Sequence, residues 1–151
     1  MTRPTALRRF LACACLLTAV SSCVGPSRTE RDFANKAANT AESVASAVNT
    51  ARVAVEQAAR QRTFGPYLSV LLRNAEEDAN AAQQSFDAVQ PPDAAADALR
   101  EALDLLVDDV TGVLDDLRIA ARRGEFDRLT TIAAPLDGLS RHLDDFEVAH
   151  G

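Results

Sequence analysis

The chain has 151 residues, 16 of them basic and 22 acidic, for a net charge of −6. That length allows a single domain, and an acidic surface repels nucleic acid and anionic lipid except where basic side chains gather locally. Cys13, Cys15 and Cys23 are the three cysteines and all lie in the first 23 residues, so no disulfide framework is expected and the fold must stand on its apolar core.

Residues 1–9 carry Arg3, Arg8 and Arg9 and no acid; residues 10–20 are the apolar run FLACACLLTAV, and Ser21-Ser22-Cys23 follow. A charged start, a short apolar stretch and small residues at the cut make residues 1–22 a cleaved secretory signal. The run is about half of the roughly 20 residues a membrane-spanning helix needs. Val20-Ser21-Ser22-Cys23 resembles the lipobox of bacterial lipoproteins. The resemblance implies that Cys23 becomes the mature N-terminus, its thiol carrying a diacylglyceryl group, and two acyl chains suffice for stable anchoring. Cys13 and Cys15 sit within the apolar run and lack that setting. Arg8-Arg9-Phe10-Leu11 is similar to a twin-arginine export signal, but its flanking residues fit ordinary secretion better. The mature chain would then be extracytoplasmic and membrane-anchored. Loss of the three signal arginines leaves 13 basic against 22 acidic residues, a net charge of −9. Residues 23–29 read as the lipidated cysteine and a short tether. Within it Ser27-Arg28-Thr29-Glu30 has the spacing of a capping box, with Ser27 as N-cap.

From residue 30 the apolar residues recur in alternating steps of three and four. The stripes run from Ala34 to Ala58, from Leu68 to Val89, from Leu99 through Leu103, Leu106, Val110 and Val113 to Ala120, and from Leu129 to Phe146. A strand alternation cannot imitate this coiled-coil rhythm. Phe64-Gly65-Pro66, Gln90-Pro91-Pro92-Asp93 and Gly124-Glu125-Phe126-Asp127 separate the four segments. Gly65 suits a left-handed cap, Pro66 a first turn and Asp93 an N-cap. The spacing predicts helices at about 28–62, 66–89, 93–123 and 127–148. Connections this short make neighbours antiparallel. The fold expected is therefore all-α: an antiparallel up-down four-helix bundle over 30–148, preceded by a cleaved signal peptide. The alanine-rich first stripe allows close helix approach, and the leucine-bearing third and fourth should hold most of the core. Pro135, inside the fourth stripe, predicts a kink at residues 131–135.

Little in the chain points to catalysis, a cofactor or a metal. Asp97, Glu101, Asp104, Asp108, Asp109, Asp115 and Asp116 crowd the third helix, but the heptad turns most of them outward, where a solvated acidic face is the ordinary outcome. Glu147-Val148-Ala149-His150 has the Glu-x-x-His spacing of di-iron bundles, which need two such motifs and two further glutamates; His142 has no matching glutamate. No nucleophile elbow or glycine-rich phosphate loop is present. The chain is not expected to be an enzyme.

Anchoring at Cys23 makes the connections near 62–67 and 123–127 share the end remote from the membrane. Arg60, Arg62, Arg122, Arg123 and Arg128 gather there with Phe64, Tyr67 and Phe126. Such a tip on an acidic body could dock an acidic envelope protein or an anionic wall polymer. The plainer explanation is that arginines in a last turn complement the helix dipole. The expected function is a lipid-anchored binding or structural module. The alternative is a carrier or sensor of a small apolar ligand between the alanine-lined helices, which calls for a space above about 300 Å³. In its lipobox, arginine bias and Gln90-Pro91-Pro92 break the chain resembles small helical-bundle lipoproteins of actinobacteria. That resemblance carries over no site residue beyond Cys23.

Overall fold

The computed structural model describes residues 29–61 and 65–151, and over that range it is an all-α bundle. Helix α1 spans Glu30–Ala59, α2 Gly65–Asp87 and α3 Ala94–Arg123; a 3₁₀ turn at Phe126–Arg128 leads into α4, Leu129–Ala133, and α5, Leu136–His150. Helices α1 and α3 have 30 residues each, about 45 Å at 1.5 Å per residue. No helix among the described residues is long and apolar enough to cross a membrane. The signal segment, Cys23 and the tether up to residue 28 lie outside the described residues, as do Arg62 and Phe64.

The helix ends follow local chemistry, with two departures from expectation. The N-cap of α1 is Thr29, whose Oγ1 accepts from the Asp32 N–H at 3.1 Å. The Thr29-Glu30-Arg31-Asp32 quartet thus takes the role expected of Ser27-Arg28-Thr29-Glu30, and the helix begins later than predicted. Asp93 caps α3 as expected, accepting from the Ala96 N–H at 2.9 Å. Helix α3 closes with Gly124 at φ 73°, and the Glu125 N–H reaches back to the Ala120 carbonyl at 3.0 Å. That is the hydrogen-bond pattern of a Schellman cap, and the left-handed residue is glycine because a Cβ would be strained there.

Gly65 is not the cap of α1. It opens α2, and the positive φ at the end of α1 belongs to Gln61, at 55°. What makes Gly65 a glycine is proximity: a Cβ there would lie 2.8 Å from Cζ of Phe126. The bare backbone lets the ring lie over the start of α2.

Side-chain contacts establish the antiparallel order. At one end, Phe33 of α1 meets Phe86 of α2 with ring centroids 5.0 Å apart, and Arg100 of α3 lies over both rings at 5.6 and 5.5 Å. The chain end returns to this level, with Gly151 close to Ala38. At the other end Phe126 lies against Gly65. Between them Arg52 of α1 pairs with Asp137 of α5 at 2.5 Å.

Helix α1 packs against every other helix, including α3 across the bundle. Its buried face is correspondingly wider than the predicted stripe. Phe33, Ala38, Ala45, Ala47 and Ala54 are buried beside Ala37, Ala41, Val44, Val48, Ala51 and Val55, whereas Ala34 and Ala58 are only half-buried. Alanine is what permits a helix to be approached on several sides at once. The larger enclosed side chains are concentrated later in the chain, as expected. Leu103, Leu114, Leu117, Leu129, Leu136 and Leu143 outnumber Phe33, Leu68 and Leu72. In α3 the seam departs from prediction: Val107, Leu114 and Ala121 are buried, while Leu106 and Val113 are half-buried at its margin.

The fourth segment is interrupted where Pro135 was expected to disturb it. The Ala134 N–H reaches only to the Thr131 carbonyl at 3.4 Å, and the Pro135 carbonyl then accepts from both Gly138 and Leu139. Backbone angles at Ala134 and Pro135 stay right-handed helical. The break is a local loss of regular helical bonding.

Candidate functional site

The end where α1 finishes and α2 begins carries Arg60, Tyr67, Arg122, Arg123, Phe126 and Arg128, those of the singled-out arginines and aromatics that lie among the described residues, and the structure sorts them. Arg60 pairs with Glu56 at 2.5 Å one helical turn back, and Arg128 pairs with Glu125. Exposed pairs of this kind contribute little stability, but they hold much of each arginine's charge against a neighbouring carboxylate. Phe126 is 47 % exposed, its ring covering Gly65 where the start of α2 meets the end of α3. Tyr67 is 60 % exposed and lines the groove between α1 and α2, so the two aromatics border different faces.

Arg122 and Arg123 differ from the others. Both are exposed in the last turn of α3, where they complement the helix dipole. Neither forms an ion pair with another described residue. With Ile119 they line a hollow of about 260 Å³. Arg122 also borders a second hollow of about 220 Å³ between α2 and α3, lined by Ser69, Val70, Arg73 and Arg118. Arg118 is fixed there by Glu76 of α2 and by Asp115 one turn before it. The hydrogen bond to Glu76 and the attraction of both carboxylates hold the guanidinium firmly protonated, against some desolvation. Arg73 has Glu77 at 3.9 Å, a loose surface pair. Glu76, Asp115 and Glu77 thus balance the arginines of the α2–α3 flank, and the unpaired positive charge stays at Arg122 and Arg123. Arg73 and Arg118 were missed in the sequence, although Ser69–Arg73 and Arg118–Arg122 each stand four residues apart on one helical face.

The opposite end is built around Arg100, which sequence reasoning also passed over. Its guanidinium donates to the Asp87 carbonyl at 3.5 Å and to the Val89 carbonyl, satisfying the end of α2 while lying over Phe33 and Phe86. Nearby Asp104 has a carboxyl oxygen buried without a partner. Its pKa is raised, chiefly by desolvation and next by Asp87, with Arg100 opposing and Asp108 adding to the effect. Most of the remaining α3 acids are exposed, and Asp108 accepts from Gln83 at 3.3 Å. His150 lies against Phe146 with ring centroids 4.6 Å apart. No group of three or more His, Cys, Asp or Glu side chains is arranged to hold a metal ion among the described residues.

Between α1 and α2 the predicted stripes are packed shut: Ala37, Ala41, Ala51, Ala75 and Ala79 are fully enclosed. Outside them runs an open groove of about 540 Å³. Val53, Ala54, Tyr67 and Leu71 supply its apolar surface, and Ser46, Asn49, Thr50 and Gln57 its polar surface. Comparison with protein-family models, with curated proteins and with solved structures finds no match.

Proposed function

We propose that the protein is a lipid-anchored, extracytoplasmic binding module that presents the α3 C-terminal arginines to an anionic partner at the cell envelope. The observation that carries this reading is the pair Arg122 and Arg123, exposed and without an ion-pair partner among the described residues in a chain with net charge −6. Arg52, Arg60, Arg73 and Arg128 stand beside carboxylates, whereas exposed Arg31, at the start of α1, and Arg141, in α5, are unpaired among the described residues as well. What singles out Arg122 and Arg123 is that two such arginines adjoin at one helix end. Desolvating a paired arginine means giving up its carboxylate, so the unpaired ones are the natural contacts for an external anion. In this reading Cys23 carries the lipid and fixes the protein at the membrane, and the short tether keeps the bundle near it. The arginine end then points outward. The partner is an acidic envelope protein or an anionic wall polymer.

Two measurements test the two halves separately. Cys23→Ala should move the protein from the membrane fraction to the soluble fraction. Charge reversal at Arg122 and Arg123 should leave membrane attachment intact and abolish retention on delipidated envelope material. Unchanged retention would remove the docking role.

The α1–α2 groove supports the alternative reading, a carrier of a small apolar ligand, because its volume exceeds that of a minimal ligand site. It is open along its length, and the core beneath it is closed. Enhanced fluorescence of an apolar dye that is lost in Val53→Asp would favour this carrier role over docking.

A further inference from the structure

We infer that the α1–α2 groove is a self-association surface, on which a second copy of the chain packs side by side about a two-fold axis running along the bundle. The inference goes beyond the docking role and does not depend on the arginine end. In a chain with 25 % charged residues, no charged side chain lines this groove. Arg52, next to Val53 in sequence, is drawn toward α5 by Asp137 and also donates to Asn49. Glu42 and Asp78 enter only where the groove continues into a neighbouring hollow that shares Ser46 and Thr50. Exposed carboxylates crowd α3 and α5 instead, Asp108, Asp109, Asp116, Asp144 and Asp145 among them.

Charge selects the occupant. Two copies of a chain with net charge −6 repel each other wherever their carboxylates face, and along this groove they meet with little like charge. The apolar groups point the same way: Val53, 56 % exposed, and Tyr67 lie open on its walls, above buried Ala54. A groove open along its length leaves a small apolar molecule half in water, whereas a matching protein surface covers it. Hollow and protruding side chains share one face, as an isologous contact requires, so Val53 of each copy faces the groove of the other. Ser46 and Gln57 make no side-chain hydrogen bond to another described residue. Thr50 donates to the Ser46 carbonyl at 3.0 Å and keeps its acceptor lone pairs. Polar partners for the contact are therefore free. An axis along the bundle keeps α1 parallel in both copies, which puts both N-terminal ends on the same side, as anchoring of two copies through Cys23 requires. The stretch of α1 from Ser46 to Gln57 is about 17 Å long, too short for a large interface. The pair is therefore weak in dilute solution, and confinement to one membrane raises its population.

The test uses the full chain in bacterial membranes, carrying Val53→Cys or, as control, Leu105→Cys at an exposed position of α3. Oxidation with copper phenanthroline should give a cross-linked dimer from Val53→Cys at least fivefold above the wild type, whose own cysteines set the background. Leu105→Cys should stay within twofold of that background. Adding Thr50→Glu or Ser46→Glu to Val53→Cys should each cut the cross-link at least fivefold with unchanged thermal melts, because like charges then face each other across the axis. A Val53→Cys band at background, a Leu105→Cys band as strong, or survival of the band in both Glu variants would overturn the pair. Enhanced fluorescence of an apolar dye with the cross-link at background would likewise overturn it and return the groove to the carrier role. Envelope retention of the Arg122 and Arg123 variants is read separately from the cross-link, so the docking role and the pair can each fail alone.

Discussion

Among single residues, Asp104 carries the clearest consequence for stability. Desolvation and the neighbouring Asp87 raise its pKa above the ordinary 3.8, Asp108 adds to this, and Arg100 offsets only part. A carboxyl with a raised pKa binds its proton more tightly in the fold than in the unfolded chain. Above the raised value its ionisation costs the fold stability, and that cost is relieved as pH falls toward 3.8. Asp104→Asn removes the charge while keeping the shape. The variant should melt about 1–2 °C higher than the wild type at neutral pH, a few tenths of a kcal/mol in a domain of this size. The advantage should shrink as pH falls toward about 4. Thermal melts of both proteins across that range check this; a variant that melts lower at neutral pH would show that Arg100 dominates instead. Arg100 itself illustrates why a residue's role is hard to read in sequence. Its partners Phe33 and Phe86 lie on two other helices and Val89 in the turn after α2, and only the register between helices brings them to it.

At the scale of the element, the fourth segment is the weak one. Pro135 withholds an N–H, so α4 ends at Ala133 and α5 restarts at Leu136. A five-residue helix has little cooperative bonding of its own, and Leu129 is its one fully buried side chain. Amides of residues 130–134 should exchange about tenfold or more faster than those of residues 139–146. Pro135→Ala should slow the former and stabilise the protein by about 1 kcal/mol, below the roughly 3 kcal/mol of a mid-helix proline because α5 starts right after it. Hydrogen exchange followed residue by residue checks both, and uniform protection across the segment would contradict the argument. The number of segments, their order and this break were all legible in the sequence, because heptad spacing and the Gly and Pro breaks are local signals. The seam of α3 was not. Leu106 and Val113 and their neighbours Val107 and Leu114 fit the same repeat equally well, and the positions of α1 and α2 decide between them; Ala120, as expected, is buried, with Ala121 beside it. The candidate site divides in the same way. Arg60–Glu56 and Arg128–Glu125 are pairs readable from spacing, whereas Arg118–Glu76 joins residues 42 apart and needs the folded register.

For the molecule as a whole, the governing feature is that α1 touches all the other helices, α3 included, although the bundle has four helical segments. Four equivalent helices would leave both diagonals open; here the α1–α3 diagonal is closed. The buried positions of α1 are mostly alanine, with Phe33, Val44, Val48 and Val55 among them, while Leu103, Val107, Val110, Leu114 and Leu117 are buried on α3. A helix with mostly alanine at its buried positions lets neighbours with larger side chains approach closely. Adding apolar bulk to this face should therefore weaken the fold, opposite to what hydrophobic burial alone would give. Ala51→Leu should cost about 1–3 kcal/mol through forced separation of α1 from its neighbours. The same change at Ala81, exposed on α2, should stay within about 0.5 kcal/mol. Urea unfolding of the two variants decides the matter. An Ala51→Leu midpoint above that of the wild type would mean that unfilled space remains along the diagonal, and the close approach of α1 to α3 would then need another cause.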